Sequence, residues 1–522
     1  MQVSAKSGGS PDRRSYDEEQ FGHAEAVGCI RRCHPGSQSH EKARAIVGAT
    51  EQVVHATPLS VSANRKVIGG ILTIALPVAL WFLPLPLATD AKHALAVASF
   101  MIIAWITEVL PHALTGMAGC YLFWVLKIVD FATAFGGFAN QTPWFLFGAA
   151  MIGMMASKSG LARRLAYLVM RRVGGGYSRL LLGLIFSSLL LTFLVPSGIA
   201  CVVIMAAVAL GLMDVFGLTR GSNVGRGIFV TLTYTAGIFD IMVIAGASSI
   251  LGRGLIQKTT GIEVYWSEWL LAFLPCVVVT IVVMWRLVPR LFPPEKEALE
   301  GGVDFLRESL KTMGAWTPME KRSLLLMSLA IALWATDVIH HISPAVIGIG
   351  AGLLAGVPGL GILELEDLKR LNYLPVFFTA TAISMGDVLL KTNALDSMTA
   401  LLFAWMRPLV TNVFSLVLVP YWTAFVYHIF LGNEISMLAT SMPPLMNFAK
   451  AAGINPLPLG LIWVFAASGK IFVYQSGVML AGYSYGYFEP KDLLRVGLCL
   501  TLVQAGVLLL IVPFYWPLIG IR

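Results

Sequence analysis

Long apolar segments alternate with short polar loops from about residue 65 to residue 519 of this chain. A helix of about 20 apolar residues is long enough to cross a bilayer. The pattern therefore predicts an all-α polytopic membrane protein with about 11 transmembrane helices. These helices are predicted over Val67–Leu87, Ala94–Leu110, Ala113–Leu126, Trp144–Ser157, Gly227–Leu251, Trp269–Val288, Ser323–Val338, Ala345–Gly359, Pro375–Val388, Leu457–Ala481 and Leu493–Ile519.

Two further apolar stretches, 180–215 and 413–443, are interrupted at their centres. The first interruption is Val195-Pro196-Ser197-Gly198, and the second is Leu431-Gly432-Asn433-Glu434. The arms of the first stretch are too short for a full crossing, so each stretch is predicted to form a re-entrant hairpin. Irregular backbone at membrane depth is tolerated only where it lines a cavity or is buried in protein.

The helix that follows each hairpin also contains residues that break helices. Gly227–Leu251 is predicted to break at Gly237, Asp240 and Gly246-Ala247-Ser248-Ser249. Leu457–Ala481 is predicted to break at Ser468-Gly469-Lys470. Interrupted segments in corresponding places of two halves are typical of secondary transporters built from a structural repeat.

The repeat divides the chain into four parts. A polar tail, 1–64, is predicted to be disordered and cytoplasmic. The first transmembrane half is 65–288, a cytoplasmic loop is 289–322, and the second half is 323–522. An odd number of crossings in each half predicts that the two repeats are inverted relative to each other.

Composition and charge support the membrane assignment. Hydrophobic residues make up 57% of the chain and charged residues 13%, whereas soluble proteins have about 25% charged residues. The net charge of +8 comes from basic residues in short loops, which argues for membrane orientation and against nucleic acid as a partner. One such loop has no acidic residue and is predicted to be cytoplasmic, like the N-terminus; its basic residues are Lys158, Arg163, Arg164, Arg171 and Arg172. We expect an integral protein of the bacterial inner (plasma) membrane.

The interrupted segments resemble those of the divalent anion:sodium symporter family of the ion transporter superfamily, whose members carry dicarboxylates, citrate or sulfate. That family has Ser-Asn-Thr at each hairpin tip and Gly-Thr-Pro-Pro at each helix break. The segments that are similar are Thr107-Glu108-Val109-Leu110-Pro111, Ser197-Gly198-Ile199-Ala200, Tyr234–Ile250, Gly432-Asn433-Glu434, Gly469-Lys470 and Tyr474-Gln475-Ser476. Each signature is kept only in part, so the chain is identified as a divergent member.

Candidate site residues cluster at the tips and breaks. Charges within transmembrane segments are functional candidates by default, here Asp240, Glu434 and Lys470. The resemblance implies that tip oxygens and break carbonyls hold a coupling ion and that the tips contact substrate. The predicted substrate-binding residues are Ser197, Gly198, Asn433, Glu434, Lys470, Tyr474 and Gln475. The predicted ion-coupling residues are Ser197, Asp240, Gly246, Ser248, Asn433, Glu434 and Gly469.

Lys470 occupies a position where the family has threonine. Its ammonium is expected either to replace a sodium ion or to contact an anionic substrate. Glu434 is expected to pair with it, because an unpaired buried ion costs several kcal/mol. A second expectation for Glu434 is proton coupling.

The predicted function is secondary active transport of small anions, with di- or tricarboxylates or sulfate as substrates. Transport is expected to be coupled to sodium or protons, or to be an exchange; no prosthetic cofactor or resident metal is expected. A cation/proton antiporter or an oxyanion efflux permease of the same superfamily is the alternative. No enzyme is predicted, since neither His-Glu-x-x-His nor Gly-x-Ser-x-Gly occurs in the sequence. The expected partners are the substrate and the bilayer, and the resemblance implies a homodimer.

Overall fold

A computed structural model describes residues 63–173, 176–195, 197–295, 301–360 and 362–521. The predicted tail lies outside the described residues up to position 62, and so does Pro196 of the first hairpin tip. The described residues are overwhelmingly helical. The prediction of an all-α membrane protein is confirmed: eight helical segments among these residues are long and apolar enough to cross a membrane.

The first half contains ten principal helices. They are α1 (Ala63–Phe82), α2 (Thr89–Thr107), α3 (His112–Val125), α4 (Gln141–Lys158), α5 (Leu161–Val173), α6 (Tyr177–Leu194), α7 (Gly198–Phe216), α8 (Asn223–Met242), α9 (Ala247–Thr260) and α10 (Trp266–Leu291). The predicted first hairpin corresponds to α6 and α7, and the first broken helix to α8 and α9. Each arm of this hairpin is longer than the sequence suggested and is long and apolar enough to cross a membrane, so its re-entrant form stays a prediction. Side-chain caps set several boundaries; the Ser222 hydroxyl, for example, accepts the Gly225 N–H at 3.1 Å where α8 begins.

The second half follows one linker helix, α11 (Gly302–Thr312). Its helices are α12 (Pro318–Ala335), α13 (Pro344–Ala355), α14 (Leu374–Lys391), α15 (Ala394–Phe403), α16 (Val413–Leu431), α17 (Glu434–Ala452), α18 (Pro456–Ala466), α19 (Gly477–Ser484) and α20 (Pro490–Leu510), which continues in π- and 3₁₀-turns to Ile519. The second hairpin is formed by α16 and α17, and the second broken helix by α18 and α19.

The two halves are interleaved in space. From α4 to α10 and from α14 to α20, the chain passes through the same order of elements: a helix, an amphipathic helix, a hairpin, a broken helix and a final helix. The half-helix α9 packs against hairpin arm α17 of the other half, and α19 packs against α7. In the same reciprocal way α3 packs against α14 and α4 against α13. The inverted relation of the repeats and the number of about 11 crossings stay predictions.

The first broken helix differs from the prediction. Residues Gly237 and Asp240 lie inside α8, which continues to Met242, and the interruption is confined to residues 243–246. Glycine weakens a helix by only about 1 kcal/mol. At Gly237 the missing side chain makes room for Lys470 and Met479, so the helix continues where a partner occupies that space. The break itself contains Ile244 with a positive φ of 50°.

The linker also has more structure than a loop. Helix α10 ends at Leu291, beyond the expected boundary at 288, and α11 lies within 289–322. Helix α11 packs on α5 and on hairpin arm α7. A Cβ on Gly211 of α7 would overlap the ring of Phe305, so glycine at this position lets the linker helix approach closely.

Candidate functional site

The tip of the first hairpin lies against the first broken helix. Ser197 caps α7, its hydroxyl accepting the Ala200 N–H at 3.3 Å. The next residue, Gly198, has so little space that a Cβ there would lie 2.8 Å from Oδ2 of Asp240 and 2.7 Å from the side chain of Val478. Gly198 therefore brings the tip into contact with both α8 and α19.

Asp240 organises the first break through its backbone and its side chain. Its carbonyl oxygen accepts the N–H groups of Ala245 and Gly246, each at 3.0 Å, and the hydroxyl of Ser249 at 2.9 Å. Its carboxylate lies so close to Gly246 that a Cβ on that glycine would overlap it. The Oδ1 atom is buried and has no hydrogen-bond partner among the described residues. Oδ1 of Asp240, next to Gly246, is thus a buried oxygen that can accept a ligand.

Lys470 connects the second break to both halves of the protein. Its Nζ lies 2.5 Å from Oε2 of Glu434, at the second hairpin tip. It also donates a hydrogen bond to the carbonyl oxygen of Gly237 on α8 at 2.9 Å. The Lys470 side chain is 0% exposed and that of Glu434 is 6% exposed. Ser476, which caps α19, donates to the second carboxylate oxygen of Glu434 at 3.3 Å.

These three charged residues form one buried cluster. Asp240 interacts electrostatically with both Glu434 and Lys470, and all three are buried. If all three are ionised, two negative charges and one positive charge leave a formal charge of −1. Uncompensated charge is costly in a buried site. The cluster is therefore suited to take up one further positive charge.

The other predicted site residues mainly complete the backbone around this cluster. The Asn433 side chain accepts the Ile435 N–H at 3.0 Å and caps α17. Oε1 of Gln475 accepts the N–H groups of Ile471 and Phe472 at 2.7 and 2.8 Å, which stabilises the unwound segment. The Gln475 Nε2 group is buried and has no hydrogen-bond partner among the described residues.

Three further predicted residues lie at or next to the two breaks in the chain and contribute no charge. Tyr474 is 42% exposed, and its hydroxyl donates to the carbonyl oxygen of Ile429 at 3.0 Å. Gly469 packs closely against Phe425 and Thr501. Ser248 is in the first turn of α9, and its buried hydroxyl has no partner in the described part of the chain.

Residues that the sequence prediction did not select also contribute. The carbonyl of Gly237 and the hydroxyl of Ser476 bind Lys470 and Glu434, and Tyr234 binds the backbone of Lys470. His428 is fully buried, and its Nε2 lies 3.0 Å from the Gln475 carbonyl. Tyr234, Gly237 and Asp240 are three residues apart, and this helical spacing was the available signal.

Comparison with known proteins decides the family. The family described as the sodium:sulfate symporter transmembrane region matches residues 64–522. The chain belongs to this family. It is a membrane transporter of small anions, and the resemblance found in the sequence is confirmed.

Several known proteins are similar to this chain at low identity. A membrane protein of Cupriavidus necator H16 is 24% identical over 472 residues, which cover 84% of this chain and 89% of that protein. The citrate/succinate antiporter of Escherichia coli K12 is 25% identical over 401 residues, 74% of this chain and 80% of that protein. The chloroplastic dicarboxylate transporter 1 of Arabidopsis thaliana is 24% identical over 472 residues, 86% of this chain and 82% of that protein.

Proposed function

We propose that this sodium:sulfate symporter family member is a secondary active carrier of di- or tricarboxylates or sulfate, in which Lys470 supplies a built-in positive charge. The contact of Lys470 with Glu434 and with the Gly237 carbonyl is the observation that carries the proposal. The similar proteins whose names specify citrate, succinate or dicarboxylates support a di- or tricarboxylate substrate.

The partners of Lys470 favour an internal role for its charge. One carboxylate oxygen and one backbone carbonyl are ligand types that metal cations use in proteins. The ammonium is fully buried between them, so it is not free for direct contact with a substrate in this conformation. Lys470 thus holds the second tip against the first broken helix, as a bound cation would.

The substrate is proposed to bind where the second arm of each hairpin begins. Free N–H groups at a helix N-terminus carry partial positive charge and favour anions. Ser197 and Gly198 begin α7, Asn433 begins α17, and the Nε2 group of Gln475 supplies a further donor near them. Tyr474 is included for its exposed position beside the second break.

The coupling ion is proposed to bind at the first break, where it would compensate the remaining negative charge of the cluster. Oδ1 of Asp240 and the hydroxyl of Ser248 are buried oxygens at the first break without partners among the described residues, and Gly246 lies between them in the chain. A sodium ion or a proton there would neutralise the cluster.

We also propose a homodimer in the bacterial inner membrane with a cytoplasmic N-terminus, as the resemblance and the basic loop imply.

Uptake of radiolabelled succinate into proteoliposomes tests this function. We expect saturable uptake and exchange that citrate or sulfate inhibits, measured with an imposed sodium gradient, a proton gradient or neither. Absence of flux and of competition under every condition would overturn anion carriage by this protein. Uptake that depends on the sodium gradient would assign sodium coupling, and uptake that depends on the proton gradient would assign proton coupling. Exchange that needs neither gradient would assign pure exchange.

The Lys470→Thr variant tests the built-in charge. We expect it to lose transport or to become newly dependent on sodium, because a cation must then fill the space left by the ammonium. Lys450→Thr is the matched control, since Lys450 is exposed near the end of α17. Unchanged uptake with unchanged ion dependence in Lys470→Thr would remove this role from Lys470.

Cation/proton antiport is a second candidate function. The unpartnered Oδ1 of Asp240 favours it, since a buried carboxylate can bind a cation and a proton in turn. In anion-free proteoliposomes, proton movement on addition of sodium or potassium would support antiport. Proton movement that requires succinate would assign it to anion transport instead.

A further inference from the structure

Helix α8 binds both the side-chain ammonium and the backbone carbonyl of Lys470. Tyr234, Gly237 and Asp240 are spaced three residues apart and therefore share a face of the helix. The Gly237 carbonyl accepts a hydrogen bond from the Lys470 ammonium at 2.9 Å. The Tyr234 hydroxyl lies 2.9 Å from the Lys470 carbonyl oxygen and 2.6 Å from that of Leu493, so its proton is shared between them.

The Tyr234 contact depends on a close approach from a third helix. A Cβ on Gly497 of α20 would lie 2.5 Å from the Tyr234 hydroxyl and would overlap the Lys470 carbonyl oxygen. Only glycine at position 497 leaves room for both groups. Tyr234 is 1% exposed, so its hydroxyl is shielded from bulk water.

The position of the Lys470 backbone matters because its segment is not helical. Residues 467–476 connect α18 and α19 without a regular helix, apart from one 3₁₀-turn at Val473–Gln475. A lysine side chain has several freely rotating bonds, so its ammonium reaches a fixed point reliably only if its backbone is fixed. The Tyr234 hydroxyl is a group of the first half that hydrogen-bonds to this backbone.

We propose that Tyr234 is a positioning residue for transport, acting by aligning the Lys470 ammonium with Glu434 and the Gly237 carbonyl. This proposal rests on the proposed built-in charge. In this proposal a residue of the first broken helix positions the Lys470 side chain in the second break. The phenol ring alone is not sufficient; the hydroxyl is the active group.

Exchange kinetics of the Tyr234→Phe variant test the proposal in proteoliposomes loaded with succinate. We expect the KM for succinate to rise on the order of three- to ten-fold, the effect of one lost hydrogen bond, with a smaller change in the maximal rate. Tyr485→Phe is the matched control, because the buried Tyr485 hydroxyl has no hydrogen-bond partner among the described residues. A lower maximal rate with an unchanged KM, or an equal rise of KM in Tyr485→Phe, would overturn the proposal.

A second variant and a second readout separate this inference from the transport function. Gly497→Ala displaces the same hydroxyl and should raise the KM in the same direction. In detergent-purified protein, mass spectrometry can follow labelling of the Lys470 amine by an amine-reactive reagent. Faster labelling in Tyr234→Phe than in wild type or Tyr485→Phe supports positioning even if wild type transports no succinate. Equal labelling in all three proteins contradicts it.

Discussion

Arg164 and Glu320 form a buried ion pair, with 2.7 Å between Nε and Oε1 and side chains that are 5% and 3% exposed. Arg164 also donates to the carbonyl oxygens of Gly314 and Met313 at 3.0 and 3.2 Å, where α11 ends. Glu320 additionally accepts the Thr317 N–H at 2.8 Å and so caps α12. The pair thus joins the amphipathic helix α5 to the linker between the halves.

Removal of the Glu320 carboxylate should destabilise the protein strongly. In Glu320→Ala the Arg164 guanidinium stays buried without its anion, which costs about 3–5 kcal/mol. Glu366→Ala is the control, since the Glu366–Lys369 pair is 71% and 61% exposed and such pairs contribute about 0–1 kcal/mol. Thermal unfolding in detergent measures both variants. Equal melting temperatures would contradict the buried role of the pair.

The Lys470–Glu434 pair should matter more for transport than for stability. Glu434→Gln leaves the ammonium without its carboxylate, so we expect both the melting temperature and succinate flux to fall. In the double variant Lys470→Met with Glu434→Gln, both charges are gone and stability should largely return, while transport should not. Recovery of transport in the double variant would show that the charges are dispensable.

A methyl group at Gly246 should disrupt the first break. The Cβ of Gly246→Ala would overlap the Asp240 carboxylate, and overpacking of this kind typically costs about 1–3 kcal/mol. We expect a lower melting temperature and loss of exchange. Gly350→Ala on α13 is the control, because no atom lies within 4 Å of its new Cβ and alanine favours the helix. Normal exchange by Gly246→Ala would argue against a close fit around Asp240.

Asp367 should give the stability a distinct dependence on pH. Partial burial alone would raise the pKa of this carboxyl group, but hydrogen bonds from Lys158 Nζ at 2.6 Å and from the Glu364 N–H at 2.8 Å hold it below its ordinary value. A carboxylate with a lowered pKa stabilises the fold fully above the unfolded pKa of about 3.9, and this stabilisation is lost as the pH falls through the folded value.

The Asp367→Asn variant checks this dependence. Its melting temperature should be below that of wild type at pH 7 and pH 5, and the difference should shrink below about pH 4. Asp304→Asn, in an exposed pair with Arg307, is the control and should change little at any pH. A difference between Asp367→Asn and wild type that stays constant down to pH 3 would contradict the coupling.

The helix interruptions at the two predicted hairpin tips and at the second break could be predicted because local chemistry marks them. Glycine and asparagine at Gly432-Asn433 and the Gly469-Lys470 pair interrupt otherwise apolar stretches, and the structure ends helices at these places. Asp240, Glu434 and Lys470 are candidates because charges in apolar segments are rare, and the sequence predicts a pair between Glu434 and Lys470. Their convergence in one buried cluster follows the same physics.

Contacts between distant segments could not be predicted from local pattern. Gly237 is a residue type that favours helix breaks, yet α8 continues through it, and Lys470 lies in the adjacent space. Gln475 resembles a ligand residue, yet its Oε1 caps the unwound backbone of its own segment. The helical spacing of Tyr234 from Gly237 and Asp240 shows only that they share a face, because the contact of Tyr234 with Lys470 depends on a glycine in α20.

The interleaving of the two halves sets the order of events during biosynthesis. The Gly237 carbonyl is made 233 residues before the Lys470 ammonium that binds it, and arm α7 precedes its neighbour α19 by a similar distance. Nascent chains grow at about 5–20 residues per second, so the first half enters the membrane without these partners for about 10–50 seconds. During that interval Asp240 has no lysine to face, and the first half depends on lipid, water or the insertion machinery to shelter its carboxylate until the last helices arrive.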